Sequence, residues 1–208
     1  MKLIFIHGLG QTGESWVETS KYIRKDMEVF SPNIFDLLGK NEANYENVYH
    51  AFCNYCNTFQ EPIHICGLSL GGILALQYAI QHEHKVASII LIGTQYKMPK
   101  RLLKLQRIIF YIMPNKFFRP IGCSKQQFIN LYNSVMRLDF SNSISRLSSN
   151  TLILCGEKDT FNKKASLDLT KKLPNATFQW IEKAGHEVNI DNPEKLGTII
   201  NEFLCKIK

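Results

Sequence analysis

The chain lacks any long hydrophobic run. None of its windows approaches the roughly 20 consecutive apolar residues that span a bilayer. The apolar stretch from Met1 to Ile6 is shorter than the core of a signal peptide. Internal repeats and low-complexity tracts are absent as well. These absences exclude a membrane-spanning chain and a repeat protein, and we expect a cytoplasmic protein without a targeting segment.

Acidic residues are almost missing from one segment. Between residues 95 and 147, Asp139 is the only acid. The same segment holds ten basic residues: Lys97, Lys100, Arg101, Lys104, Arg107, Lys116, Arg119, Lys125, Arg137 and Arg146. It therefore carries +9 in a chain whose net charge is +7, which leaves −2 for the remainder. The positive field belongs to one segment and not to the whole surface.

The cysteines lack the spacing of a metal site or a disulfide framework. The Cys53-x-x-Cys56 pair has no second pair, and Cys66 and Cys155 lie in apolar runs where cysteine acts as a small hydrophobic residue. No cluster of His, Cys, Asp or Glu has metal-ligand spacing, and no glycine-rich loop fits a phosphate or a dinucleotide. We therefore expect neither a metal nor a cofactor.

Short apolar runs alternate with helical patterns along most of the chain. The apolar runs, which predict strands, cover residues 2–6, 28–31, 63–66, 86–92, 151–155 and 176–181. Helical patterns cover residues 14–26, 44–59, 70–82, 163–173 and 193–206, and residues 32–39 are predicted to be a loop. This alternation predicts a single α/β domain over residues 1–208, with a mostly parallel sheet of about six strands and helices on both faces.

The alternation stops at residues 95–148, which we call the lid segment. It predicts a basic, apolar helix over residues 99–113 and a second helix over 124–137 that opens on a capping-box pattern, Ser124 with Gln127. We therefore expect a helical lid inserted between two strands. Its apolar side would line an acyl pocket, and its basic surface could also meet a membrane surface or an acidic carrier protein. Its aromatic residues are typical of packing, so nucleic-acid binding is not expected.

One stretch joins a buried strand to a helix through a serine. Gly67-Leu68-Ser69-Leu70-Gly71 is a G-x-S-x-G pattern between the strand at 63–66 and the helix at 70–82. A sharp strand-to-helix turn requires small neighbours, and it places the hydroxyl of Ser69 clear of the sheet beside free helical N–H groups. The alternative is a glycine-rich turn whose serine only caps the helix.

Two further polar residues follow predicted strands. Asp159 comes after the strand at 151–155, and His186 after the strand at 176–181. Ligand sites of parallel sheets lie beyond the carboxyl ends of the strands, so Ser69, Asp159 and His186 are expected to share one edge. A serine nucleophile needs an imidazole to take its proton, and the imidazole needs a carboxylate to fix its tautomer.

The remaining candidates have alternative interpretations. The attacked carbonyl needs N–H donors, for which the backbones of Leu9 and Leu70 are placed. Asp159 could instead cap the helix that begins near residue 162, with Glu157 as the next acid to consider. His64 is predicted to be a hydrogen-bonded core histidine. His7 is predicted to shape its loop and not to act as a base.

Four short motifs follow one another along the chain: His7-Gly8-Leu9-Gly10, Gly67-Leu68-Ser69-Leu70-Gly71-Gly72, Gly156-Glu157-Lys158-Asp159 and Gly185-His186. In this order they resemble the α/β-hydrolase family. The resemblance covers nearly the whole chain outside the lid segment, and it implies that Ser69 is the nucleophile, Asp159 the acid and His186 the base. It also implies that Leu9 and Leu70 donate the oxyanion-hole N–H groups. The sequence departs from the family in lacking two strands ahead of the first motif and the usual proline near residues 36–39.

The resemblance leaves three functional hypotheses. The first is a serine hydrolase that cleaves a carboxylic ester with a moderately apolar acyl group by an acyl-enzyme mechanism. The second is a lyase or synthase on the same triad, similar to the menaquinone-pathway synthase, which would need arginines for an anionic substrate. The third is a ligand-binding protein on this fold that does little chemistry. The candidate arginines are Arg101, Arg107, Arg119 and Arg137.

Overall fold

The protein, in a computed structural model that describes residues 1–207, is built on one six-stranded sheet in which all neighbouring strands are parallel. The strand order is β2-β1-β3-β4-β5-β6. The α/β class and the number of strands are therefore as the sequence predicts. The strands are β1 (Lys2–Ile6), β2 (Glu28–Phe30), β3 (Ile63–Leu68), β4 (Val86–Ile92), β5 (Asn150–Gly156) and β6 (Ala176–Ile181).

Helices and short turns connect the strands. The α-helices are α1 (Val17–Ser20), α2 (Ile34–Leu38), α3 (Tyr45–Cys56), α4 (Leu70–Gln81), α5 (Lys100–Ile112), α6 (Lys125–Val135), α7 (Lys163–Lys172), α8 (Val188–Asp191) and α9 (Pro193–Cys205). Single 3₁₀ turns cover Gly13–Trp16, Glu83–Lys85, Asn115–Phe117, Arg119–Ile121 and Ile144–Arg146. The lid segment lies between β4 and β5 and contains α5 and α6, and Ser124 and Gln127 form the predicted capping box of α6.

Two predictions of local structure were wrong. The helix expected over residues 14–26 is confined to a 3₁₀ turn and α1, because the hydrogen bonds beyond Ser20 close tight three-residue turns. The loop expected at residues 32–39 contains α2, which Asn33 caps by accepting a hydrogen bond from the N–H of Phe35. A five-residue helix is too short to show a period in the sequence, and burial of its apolar residues stabilises it.

Alternate residues of each strand pack on opposite faces of the sheet. In β1, Leu3 and Phe5 belong to the core on one face, and Ile4 and Ile6 to the core on the other. The first core contains Trp16, which stacks on Phe5 with ring centroids 4.5 Å apart, and the buried side of α9. The second core contains α3, α4 and the buried side of α6. Helices therefore cover both faces, as the apolar strands predict.

Two buried histidines have structural hydrogen bonds. Nδ1 of His64 lies 2.8 Å from Oγ of Ser88, which confirms the prediction of a satisfied core histidine. His7 donates from Nδ1 to the carbonyl of Gly8 and accepts at Nε2 from the N–H of Ile34, at 2.9 and 3.0 Å. His7 thus joins the end of β1 to the start of α2. The lone pair on Nε2 accepts a backbone hydrogen bond, so it is not available to act as a base.

We expect the free energy of unfolding to fall as the pH drops below about 6.5, the ordinary pKa of histidine. Burial lowers the pKa of both His7 and His64, so the unfolded chain binds protons below about pH 6.5 where the folded chain does not. Their contribution is therefore complete above about pH 6.5 and is lost as the pH falls toward the lowered folded values. Between about pH 7.5 and 5.5, urea unfolding should show a smaller loss in the free energy of unfolding for His64→Gln than for the wild type. Equal losses would contradict this assignment.

Candidate active site

Ser69 lies at the tip of the turn between β3 and α4. Its φ of +53° and ψ of −110° are unusual for a residue with a side chain and cost about 1–3 kcal/mol. The turn is held by the Ser69 N–H, which donates to the carbonyl of Ile92 at the end of β4. The Ser69 side chain makes no capping hydrogen bond to α4, so the alternative of a capping serine gains no support.

The glycines around Ser69 allow backbone segments to approach closely. A Cβ on Gly67 would lie 2.3 Å from the carbonyl of Gly71, and one on Gly71 would lie 2.1 Å from the carbonyl oxygen of Ile6. A Cβ on Gly72 would lie 1.9 Å from Oγ1 of Thr94. The sequence-based expectation of small neighbours is therefore confirmed, and the reason is contact with β1 and with the segment after β4 as well as the turn itself.

Asp159 and His186 form a hydrogen-bonded pair at the ends of β5 and β6. Nδ1 of His186 lies 2.7 Å from Oδ2 of Asp159, whose side chain is buried while the imidazole is partly exposed. Burial alone would raise the pKa of the Asp159 carboxyl, but hydrogen bonds from His186 and Asn162 outweigh it and lower this pKa. The carboxylate is therefore ionised beside the imidazole, an arrangement that fixes the tautomer with Nδ1 protonated.

Asn162 is a residue of this site that sequence reasoning missed. Its Nδ2 donates to both carboxylate oxygens of Asp159, at 3.0 and 2.8 Å, and lies 3.1 Å from Nδ1 of His186. Gln95 in turn donates from Nε2 to Oδ1 of Asn162 at 2.8 Å. The Asn162 N–H also bonds Oδ1 of Asp159, so this carboxylate serves the helix start and His186 together. Only the sequence spacing Asp159-x-x-Asn162 hinted at this contact.

Replacing Asn162 should weaken the protein in a pH-dependent way. Asn162→Ala removes donors from a buried carboxylate, so we expect a loss of about 1–3 kcal/mol in the free energy of unfolding at neutral pH. The lowered pKa of Asp159 contributes stability above about pH 3.9, and this is lost as the pH falls through the folded value. Urea unfolding should therefore show the difference from wild type shrinking at acid pH. A pH-independent difference, as expected for Asn175→Ala on an exposed bond, would contradict it.

Glu157, the other acid considered from the sequence, points elsewhere. Its side chain is exposed and accepts a hydrogen bond from the backbone N–H of Lys183 at 3.1 Å. It therefore stabilises the turn after β6. Among the described residues, it makes no hydrogen bond to His186.

A cavity of about 240 Å³ is lined by four of the predicted site residues, but not by Asp159. Ser69 and His186 line it, together with Leu9 and Leu70. Within residues 1–207, no acceptor takes the backbone N–H of either leucine, so both groups are free to bind an oxygen of a ligand. The cavity therefore has around it the serine, the histidine and two leucines whose backbone N–H groups have no acceptor among the described residues.

Side-chain hydrogen bonds connect the loop after β1 to the segment that follows His186. Gln11, in the loop after β1, donates from Nε2 to Glu187 and to Oδ1 of Asn189, at 3.1 and 3.3 Å. Asn189 donates back to Oε1 of Gln11 at 3.2 Å. This network connects the loop that carries Leu9 to the loop that carries His186. Sequence reasoning did not identify it, because the residues are 178 positions apart.

The site also contains a glycine that the sequence did not single out for function. Gly93, after β4, has a φ of +53°, and a Cβ there would lie 3.0 Å from the imidazole of His186 and 3.2 Å from Oδ2 of Asp159. A side chain at this position would therefore displace the acid–base pair.

Three further observations on the described residues bear on the predicted chemistry. Across residues 1–207, no group of three or more His, Cys, Asp and Glu side chains is placed to hold a metal ion. In the same range, no helix has the length and the apolar content that crossing a membrane requires. The Cys53 and Cys56 thiols are buried on α3 and are free, with pKa values raised by burial.

Comparison with known proteins places this chain in a family. A family model described as alpha/beta hydrolase fold matches residues 2–138. Monoacylglycerol lipase ABHD6 of Mus musculus is 19% identical in a match that covers 99% of this chain and 76% of that protein. A Bacillus subtilis (strain 168) protein, whose name describes a 2-succinyl-6-hydroxy-2,4-cyclohexadiene-1-carboxylate synthase, is 20% identical over 99% of this chain and 90% of its own.

A solved structure has the same fold. The thermophilic esterase from Thermogutta terrifontis superposes with a TM-score of 0.81 at 21% identity, over 100% of this chain and 90% of that one. At this identity the likeness concerns the fold. The family match and the lipase relative support a hydrolase enzyme at the level of the family. The chain belongs to the alpha/beta hydrolase fold family.

Proposed function

We propose that the protein is a serine hydrolase that cleaves a carboxylic ester with a moderately apolar acyl group. The observation that carries this proposal is the shared cavity of Ser69 and His186, together with the 2.7 Å contact between Nδ1 of His186 and buried Asp159. A strained serine that shares a cavity with an oriented imidazole is the arrangement that allows a hydroxyl to be activated for acyl transfer.

The proposed mechanism assigns one role to each group. Because Nδ1–H of His186 donates to Asp159, Nε2 is left to accept the proton of Ser69 as its oxygen attacks the ester carbonyl. The oxyanion of the tetrahedral intermediate is bound by the N–H groups of Leu9 and Leu70. The imidazolium then gives its proton to the leaving alcohol, and water, activated by the same imidazole, releases the acid from Ser69.

The walls of the cavity favour an apolar acyl group. Most side chains that the lid segment contributes to the cavity are apolar. Among its polar ones, the hydroxyl of Tyr132 on α6 lies 2.9 Å from both the carbonyl oxygen of Leu103 and Oε1 of Gln106 on α5. The volume of about 240 Å³ is below the roughly 300–1,000 Å³ of sites for drug-sized ligands. We therefore expect short acyl chains to fit best. The apolar lining residues are Leu9, Leu70, Ile73, Met98, Pro99, Leu102, Leu103, Phe110, Phe128, Val135 and Phe161.

A series of p-nitrophenyl esters tests this proposal. We expect kcat/KM to be highest for butyrate or hexanoate and to fall by at least about tenfold for palmitate, because a long chain exceeds the cavity. Phe128→Ala removes a side chain from the wall and so enlarges the cavity. In this variant the acyl chain length with the highest kcat/KM should be longer than in the wild type. Absence of turnover with every ester, in a folded protein, would overturn the hydrolase proposal.

The alternative of a synthase acting on an anionic substrate has less support. Among the described residues that line the cavity, none is an arginine or a lysine. Arg107 and Arg137 line a separate surface cleft beside α5, and Arg119 lines another near α6. Tight binding of a succinate-like dicarboxylate, without ester turnover, would favour the synthase. Binding of ligands without labelling by a fluorophosphonate would favour the non-catalytic alternative.

A further inference from the structure

Helix α5 has a strip of aliphatic side chains that contacts no core. Leu105, Ile108, Ile109 and Ile112 recur at intervals of three, one and three residues, which places them on one side of the helix. Their exposed fractions are 62%, 59%, 51% and 76%. We call these four residues the outer strip. It is separate from the side of α5 that lines the cavity through Leu102, Leu103, Gln106 and Phe110.

A row of unpaired bases flanks the outer strip. Lys100, Lys104 and Arg107 recur at intervals of four and three residues and line a surface cleft of about 340 Å³ that contains no acidic side chain. None of the three makes an ion pair with another described residue. The only acid of the lid segment, Asp139, lies 3.2 Å from Nζ of Lys97. We call these three residues the basic row.

We propose that α5 binds the surface of a bilayer that contains anionic lipid, with the outer strip inserted and the basic row against the headgroups. An aliphatic strip beside a basic face is the arrangement of helices that lie in the membrane interface. Lysine and arginine stems extend along the apolar boundary while their charges reach the lipid phosphates. This proposal concerns the outer surface of the lid segment and does not depend on the chemistry of Ser69.

Other occupants match the surface less well. An acidic carrier protein would pair with the basic row, but burial of four large aliphatic side chains is not what a charged surface offers. A second copy of the chain would bring two segments of +9 together, and their repulsion opposes that contact. An anionic bilayer supplies both an apolar interior and a negative surface.

Vesicle co-sedimentation tests the proposal with the full chain. Vesicles of phosphatidylcholine with about a third phosphatidylglycerol should bind the protein at least about tenfold more strongly than phosphatidylcholine alone, because several bases face the surface. Raising the salt concentration should reduce this difference, since it screens the charges. Equal binding to both vesicles, or binding to neither, would overturn the proposal.

Paired variants separate the two contributions. Ile108→Ser/Ile112→Ser should lower partitioning by at least about tenfold, because two large aliphatic side chains no longer enter the bilayer. Ile190→Ser, on α8, removes an isoleucine that is 53% exposed and should leave partitioning unchanged. Lys100→Gln/Lys104→Gln should weaken binding to the anionic vesicles only. Lys164→Gln/Lys171→Gln makes the same change of charge on α7 and should have little effect.

The remaining outcomes also decide the question. A concentration-dependent dimer that Ile108→Ser/Ile112→Ser abolishes, in a protein that ignores vesicles, would assign the outer strip to contact between copies. Binding of acyl-carrier protein without binding of vesicles would assign the basic row to that partner. Turnover of a soluble short-chain ester should be equal in all variants. Its absence in the wild type would contradict the proposed function and leave the vesicle result to be judged separately.

Discussion

Ser69→Ala should abolish both turnover of esters and labelling by a fluorophosphonate. The substitution removes the proposed nucleophile, and loss of the nucleophile from a triad costs about 10⁴- to 10⁶-fold in kcat. Fold and cavity should persist, because the Ser69 side chain makes no hydrogen bond to α4 that stabilises the turn. Intact-mass measurement should show one label on the wild type and none on the variant.

A matched control makes the result specific to the site. Ser145→Ala changes an exposed serine of the lid segment and should retain both labelling and turnover. Full esterase activity in Ser69→Ala would contradict the assignment of the nucleophile. Labelling of the wild type at a different serine would contradict it too, and peptide mapping would locate that serine.

Asp159→Asn should lower kcat by about 10⁴-fold with a much smaller change in KM. The carboxylate accepts Nδ1–H of His186 at 2.7 Å, and an amide at this position no longer favours the tautomer whose Nε2 can accept the serine proton. The cavity residues that bind the acyl group are unchanged, so substrate binding should largely persist. Steady-state kinetics with the best short-chain ester measures the separate effects on kcat and KM.

Glu157→Gln is the matched control for Asp159→Asn. Glu157 lies two residues away and is exposed, and its carboxylate contacts the backbone N–H of Lys183 instead of His186. We expect its kcat to remain within about threefold of the wild type, since surface substitutions change little. A large loss in Glu157→Gln with a small loss in Asp159→Asn would exchange the roles of the two acids.

The strands were predictable because each is a buried apolar run. Val86–Ile92 is apolar throughout apart from Ser88, and a parallel strand covered on both faces has this composition. Helix α4 was also well predicted, since its pattern begins at the serine turn and its buried residues occur all round. The short helix α2 could not be predicted, because its five residues depend on burial of Ile34 and Phe35 for stability.

The contacts around Asp159 were only partly predictable. Order along the chain and position after a strand suggested Asp159 and His186, and the structure brings them within a hydrogen bond. The roles of Asn162 and Gln95 were not visible, because an amide has no sequence pattern that identifies its partner. The same holds for Gln11 and its bond to a loop at the other end of the chain.

The sequence by itself determined the sheet, the serine turn and the order of the polar residues that follow the strands. These are properties of local periodicity, of glycine at a sharp turn and of the rule that ligand sites lie at the carboxyl ends of parallel strands. Only the tertiary structure decided which arginines stay outside the cavity and which side of α5 stays exposed. The physical reason is that both depend on how the lid segment packs around the cavity. Helix α5 has apolar residues on two sides, so its sequence pattern does not say which side is buried.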